Sequence, residues 1–291
     1  MSKKIDLDKF YTPSNIVDLC IYEFWETFKE VTELIEPSAG NGAFSLKLDD
    51  VIAYDIAPEH ESIIEQDFLK LNLPYKYGRA IIGNPPFGNR NNLALKFFKH
   101  SIKMCDMIGF ILPISQLNNV DSLYEFDLVK SIDLGKIEYS GIEVHCCFNL
   151  YHRPENGILN KKPNLKSDLF SLHRTNRDNF ENTKADFMFC KRGSVGKEIF
   201  EDGKRYGDEY KVVVFDKKNL EYVRNTILKH DWKNFKNHQS SPNISKNDIY
   251  RLFPRKSEPN LQVGFFYCRQ HENRQRFNAV LYSVINLNKA I

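Results

Sequence analysis

The first half of the chain alternates short apolar runs with polar, turn-forming segments. Apolar runs lie at 34–35, 51–56, 80–82 and within 106–115. Short continuous runs of this kind are typical of strands buried on both faces of a parallel sheet. Residues 93–104 instead repeat apolar positions at a helical period with lysines between them, which predicts an amphipathic helix. The pattern therefore predicts an α/β fold.

Less regular patterns follow. Residues 121–132 are compatible with another helix, whereas 136–139 and 144–151 predict two strands joined by a short polar turn. Such a pair would form an antiparallel hairpin that closes the sheet. The polar, turn-rich stretch 154–168 predicts a linker, and 186–190 predicts a strand beyond it. With 291 residues, about two domains are expected, and we predict that they span 1–155 and 156–291.

A glycine loop follows the first apolar run. The chain passes from Glu36 through Ser38 to Gly40 and Gly42, and then into 43–48, which can begin a helix. A strand, a glycine loop and a helix in this order let a ligand approach the backbone near the positive end of the helix. The position three residues after Gly42 is not glycine. The dinucleotide fingerprint is therefore incomplete, and a smaller nucleoside fits better.

Two acidic residues follow in positions that suit the same ligand. Asp55 lies at the end of the second predicted strand, where a carboxylate can accept both hydroxyls of a ribose. Asp67 precedes Phe68, a context suited to accepting an adenine amino group while the aromatic ring covers the base. Taken alone, either acid is more often a solvated or capping residue. Their order after successive strand-like runs favours ligand contacts.

The segment Asn84-Pro85-Pro86-Phe87 comes directly after the apolar run 80–82. An exocyclic amine on a base is a poor nucleophile because its lone pair is delocalised into the ring. The Asn84 side-chain oxygen and the Pro85 carbonyl could accept its two hydrogens without ionising. The prolines stiffen the turn, and Phe87 offers a face for a planar base. The alternative is a simple proline turn after a buried strand.

Together with the segment 9–13, these motifs resemble the S-adenosylmethionine-dependent DNA adenine-N6 methyltransferases. Donor-binding motifs precede the catalytic motif, and the interval between Glu36 and Asn84 is too short for a target-recognition domain. This order is similar to the gamma arrangement, in which recognition is C-terminal. The resemblance covers roughly the first 155 residues. Phe87 departs from the Tyr that is more usual there, which keeps a stacking ring but removes a hydroxyl.

The resemblance implies a Rossmann-like methyltransferase fold, mainly parallel and closed by a hairpin, followed by a smaller C-terminal α+β domain. It implies methyl transfer from S-adenosylmethionine to N6 of an adenine flipped out of double-stranded DNA, without a metal. The enzyme would act beside a companion restriction endonuclease or as a solitary methylase. The catalytic residues would be Asn84, Pro85, Pro86 and Phe87, and the donor would contact Tyr11, Thr12, Glu36, Ser38, Gly40, Gly42, Asp55, Ile56, Asp67 and Phe68.

The two halves of the chain differ in charge. Residues 1–155 carry 15 basic and 23 acidic side chains, a net −8, whereas residues 156–291 carry 26 and 15, a net +11. A basic half predicts a module that binds a polyanion, although an ordinary solvated surface could have the same counts. The predicted DNA contacts are Lys191, Arg192, Lys197, Lys229, Lys233, Lys236, Arg251 and Arg255.

The six cysteines contain no Cys-x-x-Cys pair, so a zinc site is not expected. Several lie among apolar neighbours, as reduced core cysteines do. The N-terminal residues are polar, and no apolar run reaches the length of a membrane span. These features predict a protein of the reducing cytoplasm, with no membrane partner.

Three other functions fit parts of the pattern. An RNA adenine methyltransferase can use a similar four-residue motif, and contacts to a 2′-hydroxyl cannot be read from a sequence. Methylation of a protein glutamine uses similar chemistry but gives no reason for a C-terminal half at +11. A non-catalytic nucleic-acid-binding module with a relic donor pocket is the third, and intact Asn84, Asp67 and Gly40 argue against it.

Overall fold

Seven strands form the larger of two sheets in the computed structural model, which describes residues 11–88, 92–139, 141–175, 184–200, 207–232 and 244–253. The strands are β1 (Glu33–Glu36), β2 (Val51–Asp55), β3 (Ile64–Glu65), β4 (Arg79–Gly83), β5 (Met107–Pro113), β6 (Asp127–Tyr139) and β7 (Ile142–His152). Their order is β3-β2-β1-β4-β5-β7-β6. The first five pair in parallel, and β7 runs antiparallel to β5 and β6. The predicted Rossmann-like methyltransferase fold is confirmed.

The centre of this sheet is apolar on both faces. Ile35 on β1 lies opposite Ile52 on β2 and Ile81 on β4, and Ile81 lies opposite Ile108 on β5. Ile35, Ile81 and Ile108 are fully buried. Burying one such side chain stabilises the fold by roughly 1.5–3 kcal/mol. The continuous apolar runs in the sequence are therefore explained by burial on both faces.

Two α-helices contribute to the same core. Helix α1 (Ser14–Thr27) buries Val17, Cys20 and Phe24, which recur on one helical face. Helix α2 (Asn92–Ser101) buries Ala94, Phe97 and Phe98, as the period of residues 93–104 predicted.

Two helix predictions are wrong. Residues 43–48 form only a 3₁₀ turn at Ser45–Lys47, because β2 begins at Val51 and leaves no room for a longer helix. Residues 121–132 do not form a helix, because the segment from Asp127 onwards is β6 and pairs along its length with β7. Strand pairing overrides local propensity here. The antiparallel hairpin predicted at 136–139 and 144–151 is confirmed, but its strands are longer than predicted, since β6 begins at Asp127 and β7 at Ile142.

The smaller sheet is antiparallel and lies after the predicted linker. Its strands are β8 (Phe170–Arg174), β9 (Phe187–Cys190), β10 (Glu198–Ile199) and β11 (Glu209–Val214), in the order β10-β9-β11-β8. Helices α3 (Leu220–Lys229) and α4 (Lys246–Tyr250) share a core with it. This confirms the expected smaller α+β architecture. The described parts of both sheets belong to one compact unit that extends to Phe253.

A polar junction connects α4 to the larger sheet. The Arg251 guanidinium donates to both carboxylate oxygens of Asp121, with N–O distances of 2.6 and 3.0 Å. The Asn247 amide nitrogen donates to the same carboxylate at 2.9 Å. Asp121 lies in the loop after β5. This junction ties α4 to the loop between β5 and β6.

The described ranges contain no helix that is both long and apolar enough to cross a bilayer. Within the same ranges, no group of three or more His, Cys, Asp or Glu side chains is arranged to hold a metal ion. The five cysteines in these ranges are buried and free.

Candidate functional site

The candidate site lies at the carboxyl edge of the larger sheet. Strand β1 lies between β2 and β4, and the three strands are parallel. The residues that end or directly follow them are Glu36, Asp55 and Asn84. Ligands of doubly wound α/β folds bind outside the carboxyl ends of such strands. The fold therefore brings together the three motifs on which the sequence prediction depends.

Asp55 holds the glycine loop in place. Its Oδ2 accepts the Gly40 backbone N–H at 2.7 Å, and its Oδ1 accepts the Ala57 N–H at 2.8 Å. A carboxylate offers about four lone-pair sites, so Asp55 keeps acceptor capacity for ligand hydroxyls. Gly40 has a φ of +55°, and the position of an added Cβ is open, with no atom within 4 Å. A ligand can therefore approach this backbone closely.

Glu36 is a buried carboxyl beside that loop. It is 2% exposed, and its Oε2 accepts the Ser45 backbone N–H at 2.9 Å. Burial raises the pKa of Glu36 to about 8; hydrogen bonds from Ser45 act in the opposite direction, and the charge of Asp55 adds to the increase. Perturbed carboxyls of this kind concentrate at functional sites. A cationic ligand beside Glu36 would favour its ionised form.

Asp67 caps a 3₁₀ turn at Phe68–Lys70, where its Oδ1 accepts the Leu69 N–H at 3.0 Å. The Lys70 ammonium lies 3.3 Å from the other carboxylate oxygen, and the Asp67 side chain is 27% exposed. This carboxylate therefore combines the capping role with access to solvent.

The structure corrects the role predicted for Phe68. Its side chain is 1% exposed and stacks on Phe97 of α2, with ring centroids 5.5 Å apart. The His100 ring packs nearly perpendicular to the Phe68 ring, with ring centroids 5.1 Å apart. Phe68 is thus a core residue without an exposed face for an adenine, because α2 needs an apolar partner at this position.

Two other predicted donor contacts lie near the glycine loop. The Tyr11 hydroxyl donates to the Glu59 carboxylate at 2.7 and 2.9 Å, and the Glu59 N–H donates to the Gly40 carbonyl at 3.0 Å. This chain of hydrogen bonds places the segment before α1 beside the loop. Ile56 follows Asp55 and is 54% exposed, so its side chain is accessible to an apolar ligand surface.

The two ends of the Asn84 side-chain amide have different surroundings. Its amide nitrogen donates to the Thr12 hydroxyl at 3.1 Å, whereas its Oδ1 is buried and has no hydrogen-bond partner among the described residues. The Asn84 carbonyl accepts the Ser38 hydroxyl at 3.3 Å, which links this motif to the glycine loop. Leaving a buried acceptor unsatisfied costs about 1–3 kcal/mol. Such groups are rare in native proteins and need an explanation.

The remainder of the motif is more enclosed. Pro85 is buried and Pro86 is half-buried. Phe87 is 8% exposed and belongs to the main apolar cluster. Stacking of a base on Phe87 stays a prediction.

Tyr139 is a neighbour of Asn84 that the sequence did not indicate. It ends β6, is fully buried, and its hydroxyl lies 3.8 Å from the Cys146 sulfur. Burial raises the pKa of Tyr139 strongly, and the Asn84 side chain acts in the opposite direction through a hydrogen bond. Cys146 lies opposite Pro113, the last residue of β5. The tip of the hairpin therefore extends beyond the end of β5 and brings Tyr139 beside Asn84.

The predicted DNA contacts divide into three groups. Arg192, Lys197 and Lys229 are exposed, as a phosphate contact requires. Lys233, Lys236 and Arg255 lie outside the described residues. Lys191 is buried and Arg251 is bound to carboxylates, so neither side chain is presented to a phosphate.

Lys191 is 6% exposed, and burial lowers its pKa. Its ammonium lies 6.0 Å from the centre of the Tyr210 ring. Arg251 is bound to Asp121 and Asp248. The loop 191–197 also has a packing role, because a Cβ on Gly196 would lie 2.4 Å from the Trp232 ring.

Comparison with known proteins gives a partial match. No protein-family model matches the chain. It is 34% identical over 101 residues to the type II methyltransferases M.HincII of Haemophilus influenzae and M.HindII of Haemophilus influenzae strain Rd. Each match covers 32% of this chain, and 20% and 19% of the two relatives. The chain spans about a fifth of the length of these relatives.

Comparison with solved structures gives likenesses of low identity and low TM-score. A Thermoplasma acidophilum protein is 16% identical with a TM-score of 0.40, over 53% of this chain and 99% of that one. The 23S rRNA methyltransferase ErmE is 14% identical with a TM-score of 0.38, over 55% and 73% of the two chains.

Proposed function

We propose that this chain is an S-adenosylmethionine-dependent methyltransferase that acts on N6 of adenine in DNA. The observation that carries the proposal is the Asn84 Oδ1, a buried acceptor with no partner among the described residues. It follows β4 at the carboxyl edge of the sheet, and Ser38 links it to the glycine loop. An acceptor kept free beside a nucleoside pocket suits an incoming amine, which has hydrogens to donate.

The residues at the edge fit the donor. Asp55 has acceptor capacity for the ribose hydroxyls, and the open backbone at Gly40 allows close approach. Glu36 is a buried carboxyl that a cation would ionise, which suits the positively charged methionine portion. Asp67 would accept the adenine amino group. The bound donor supplies an electrophilic methyl group on a sulfonium.

The chain's own groups then prepare the amine. Asn84 Oδ1 and the Pro85 carbonyl would accept the two hydrogens of N6 and draw its lone pair out of conjugation with the ring. The adenine must leave the duplex, because N6 is otherwise paired. No strong base is required at this site, since the methylated amine carries a positive charge and loses a proton readily.

DNA is the substrate class that we favour. The 34% match is to type II methyltransferases, and residues 156–291 carry a net charge of +11. We propose that residues 1–155 bind the donor and carry out the transfer, and that 156–291 hold the DNA through exposed cations such as Arg192, Lys197 and Lys229. The protein would act beside a restriction endonuclease or alone.

The test is incubation of the full chain with labelled donor and duplex DNA, RNA or protein in parallel, followed by mass spectrometry of the modified position. We expect N6-methyladenine in DNA. Label in RNA or in protein glutamine would show that the proposed substrate class, DNA, is wrong. No label in any of the three substrates would reject the proposed methyltransferase function.

Asn84→Ala should cut turnover by roughly a hundredfold or more, because a well-placed polar group acts mainly on the transition state. Donor affinity, measured by calorimetry, should stay nearly unchanged. Asn72→Ala is the matched control, because Asn72 is exposed and lies outside the motifs assigned to donor and DNA; it should methylate normally. Near-normal turnover by Asn84→Ala would remove the catalytic assignment of this motif.

A further inference from the structure

We infer that Thr12 is a positioning residue for Asn84 and that donor binding is not its main role. This rests on the proposed function, in which Asn84 Oδ1 accepts the target amine. The resemblance to adenine methyltransferases implied only a donor contact for Thr12.

The geometry ties the two side chains together. Thr12 is 8% exposed, and its hydroxyl oxygen accepts the Asn84 amide nitrogen at 3.1 Å. The two residues are 72 positions apart in the chain. A mostly buried hydroxyl is thus directed at the amide that the reaction would use.

The position of Thr12 is fixed by α1. Pro13 is the N-cap of this helix, and its carbonyl accepts the N–H groups of Ile16 and Val17 at 3.0 and 3.1 Å. Val17 is fully buried in the main core. Because α1 is anchored in this way, the residue directly before its cap is held as well. Thr12 therefore offers Asn84 a partner of defined position.

The chemistry requires one orientation of the amide. A primary amide presents donors at one end and an acceptor at the other, and only the oxygen end can bind an amine through its hydrogens. Thr12 engages the nitrogen end and leaves Oδ1 for the substrate. Without the Thr12 oxygen, the amide nitrogen would lose this partner, and Tyr139 would be left as the neighbour that still restrains the side chain.

The experiment compares Thr12→Val, which keeps the shape but removes the acceptor, with Thr12→Ser, which keeps the hydroxyl. Thr12→Val should lower kcat by roughly tenfold to a hundredfold, as misplacement of a catalytic group does, while the Kd for S-adenosylmethionine changes by less than about twofold. Thr12→Ser should restore most of kcat. Thr32→Val is the control, because the Thr32 hydroxyl is exposed and bonds to the Tyr77 carbonyl.

A double-mutant comparison adds a second criterion. In the Asn84→Ala background, Thr12→Val should cause little further loss, because residues that act through one group are not additive. Weakened donor binding with unchanged kcat would overturn the inference and make Thr12 a donor contact. Independent losses from the two substitutions would overturn it as well.

A readout without catalysis separates this inference from the proposed function. The ¹⁵N–¹H signals of the Asn84 side-chain amide, assigned by their absence in Asn84→Ala, should shift in Thr12→Val and remain near their wild-type positions in Thr12→Ser. Unshifted signals in Thr12→Val would overturn the inference whatever the activity. If wild-type protein methylates nothing, the proposed function and the assigned role in catalysis both fail, and shifted signals then show the hydrogen bond alone.

Discussion

Burial of the Glu36 carboxyl should make the free energy of unfolding fall as pH rises, and Glu36→Gln should abolish this fall. Glu36 is 2% exposed, and burial raises its pKa from 4.5 to about 8. The folded state therefore binds this proton more tightly than the unfolded state does. The stabilisation is complete below the pKa of the unfolded state, declines between the two pKa values, and is lost once the pH has risen through the pKa of the folded state.

The size of the effect follows from the shift. One pH unit between the two pKa values corresponds to about 1.4 kcal/mol. The wild type should therefore lose about 1.4 kcal/mol between pH 6 and pH 7 relative to Glu36→Gln, and no more above about pH 9. Across the full interval from 4.5 to about 8, the upper bound is about 5 kcal/mol. Glutamine keeps an oxygen for the Ser45 N–H, so this hydrogen bond is preserved.

Urea unfolding at intervals of half a pH unit from about pH 6 to pH 9 measures the difference. Taking the difference between wild type and Glu36→Gln cancels the other groups that titrate in this range. Glu26→Gln, on the exposed side of α1, controls for the removal of one carboxylate. Parallel stability curves for wild type and Glu36→Gln would show that the buried carboxyl titrates at its ordinary value and would refute the reasoning.

Two further predictions concern ligands. Asp67→Ala should weaken S-adenosylmethionine binding by about 1–3 kcal/mol in calorimetry, because the adenine amino group of the bound donor would lose its acceptor, with DNA affinity unchanged; equal donor affinity would leave Asp67 only its capping role. Joint replacement of Arg192 and Lys197 by alanine should flatten the slope of log K for DNA binding against log salt concentration, by about 0.9 for each phosphate that the variant no longer neutralises. Sequence preference should survive. Lys29→Ala is the control, and an unchanged slope in the double variant would place the DNA interface elsewhere.

The strands of the larger sheet were predictable because burial on both faces leaves a continuous apolar signal. Residues 80–82 and 106–115 show it clearly, and they correspond to β4 and β5. Strand β6 gives no such signal, since only Leu134, Ile137 and Tyr139 among its residues are buried, and within the described residues it is an edge strand that pairs with β7. The helix expected at 121–132 was wrong for this reason.

The place of the site was predictable from strand order, whereas the directions of its side chains were not. The carboxyl ends of parallel strands meet at one edge, so Glu36, Asp55 and Asn84 had to come together. The orientation of Phe68 depends on the packing of α2, and that of Arg251 depends on Asp121 in a distant loop. A sequence motif does not contain these interactions.

The surroundings of Asn84 show what the tertiary structure adds to the motif. Thr12 reaches the amide from the segment before α1, and Tyr139 reaches it from the end of β6. Both are mostly or fully buried, so the side chain is placed before any substrate arrives. The free Oδ1 costs the unliganded protein about 1–3 kcal/mol. An amine that donates to this oxygen would remove that cost at the point where the reaction needs an acceptor, and a preorganised acceptor needs no rearrangement during transfer.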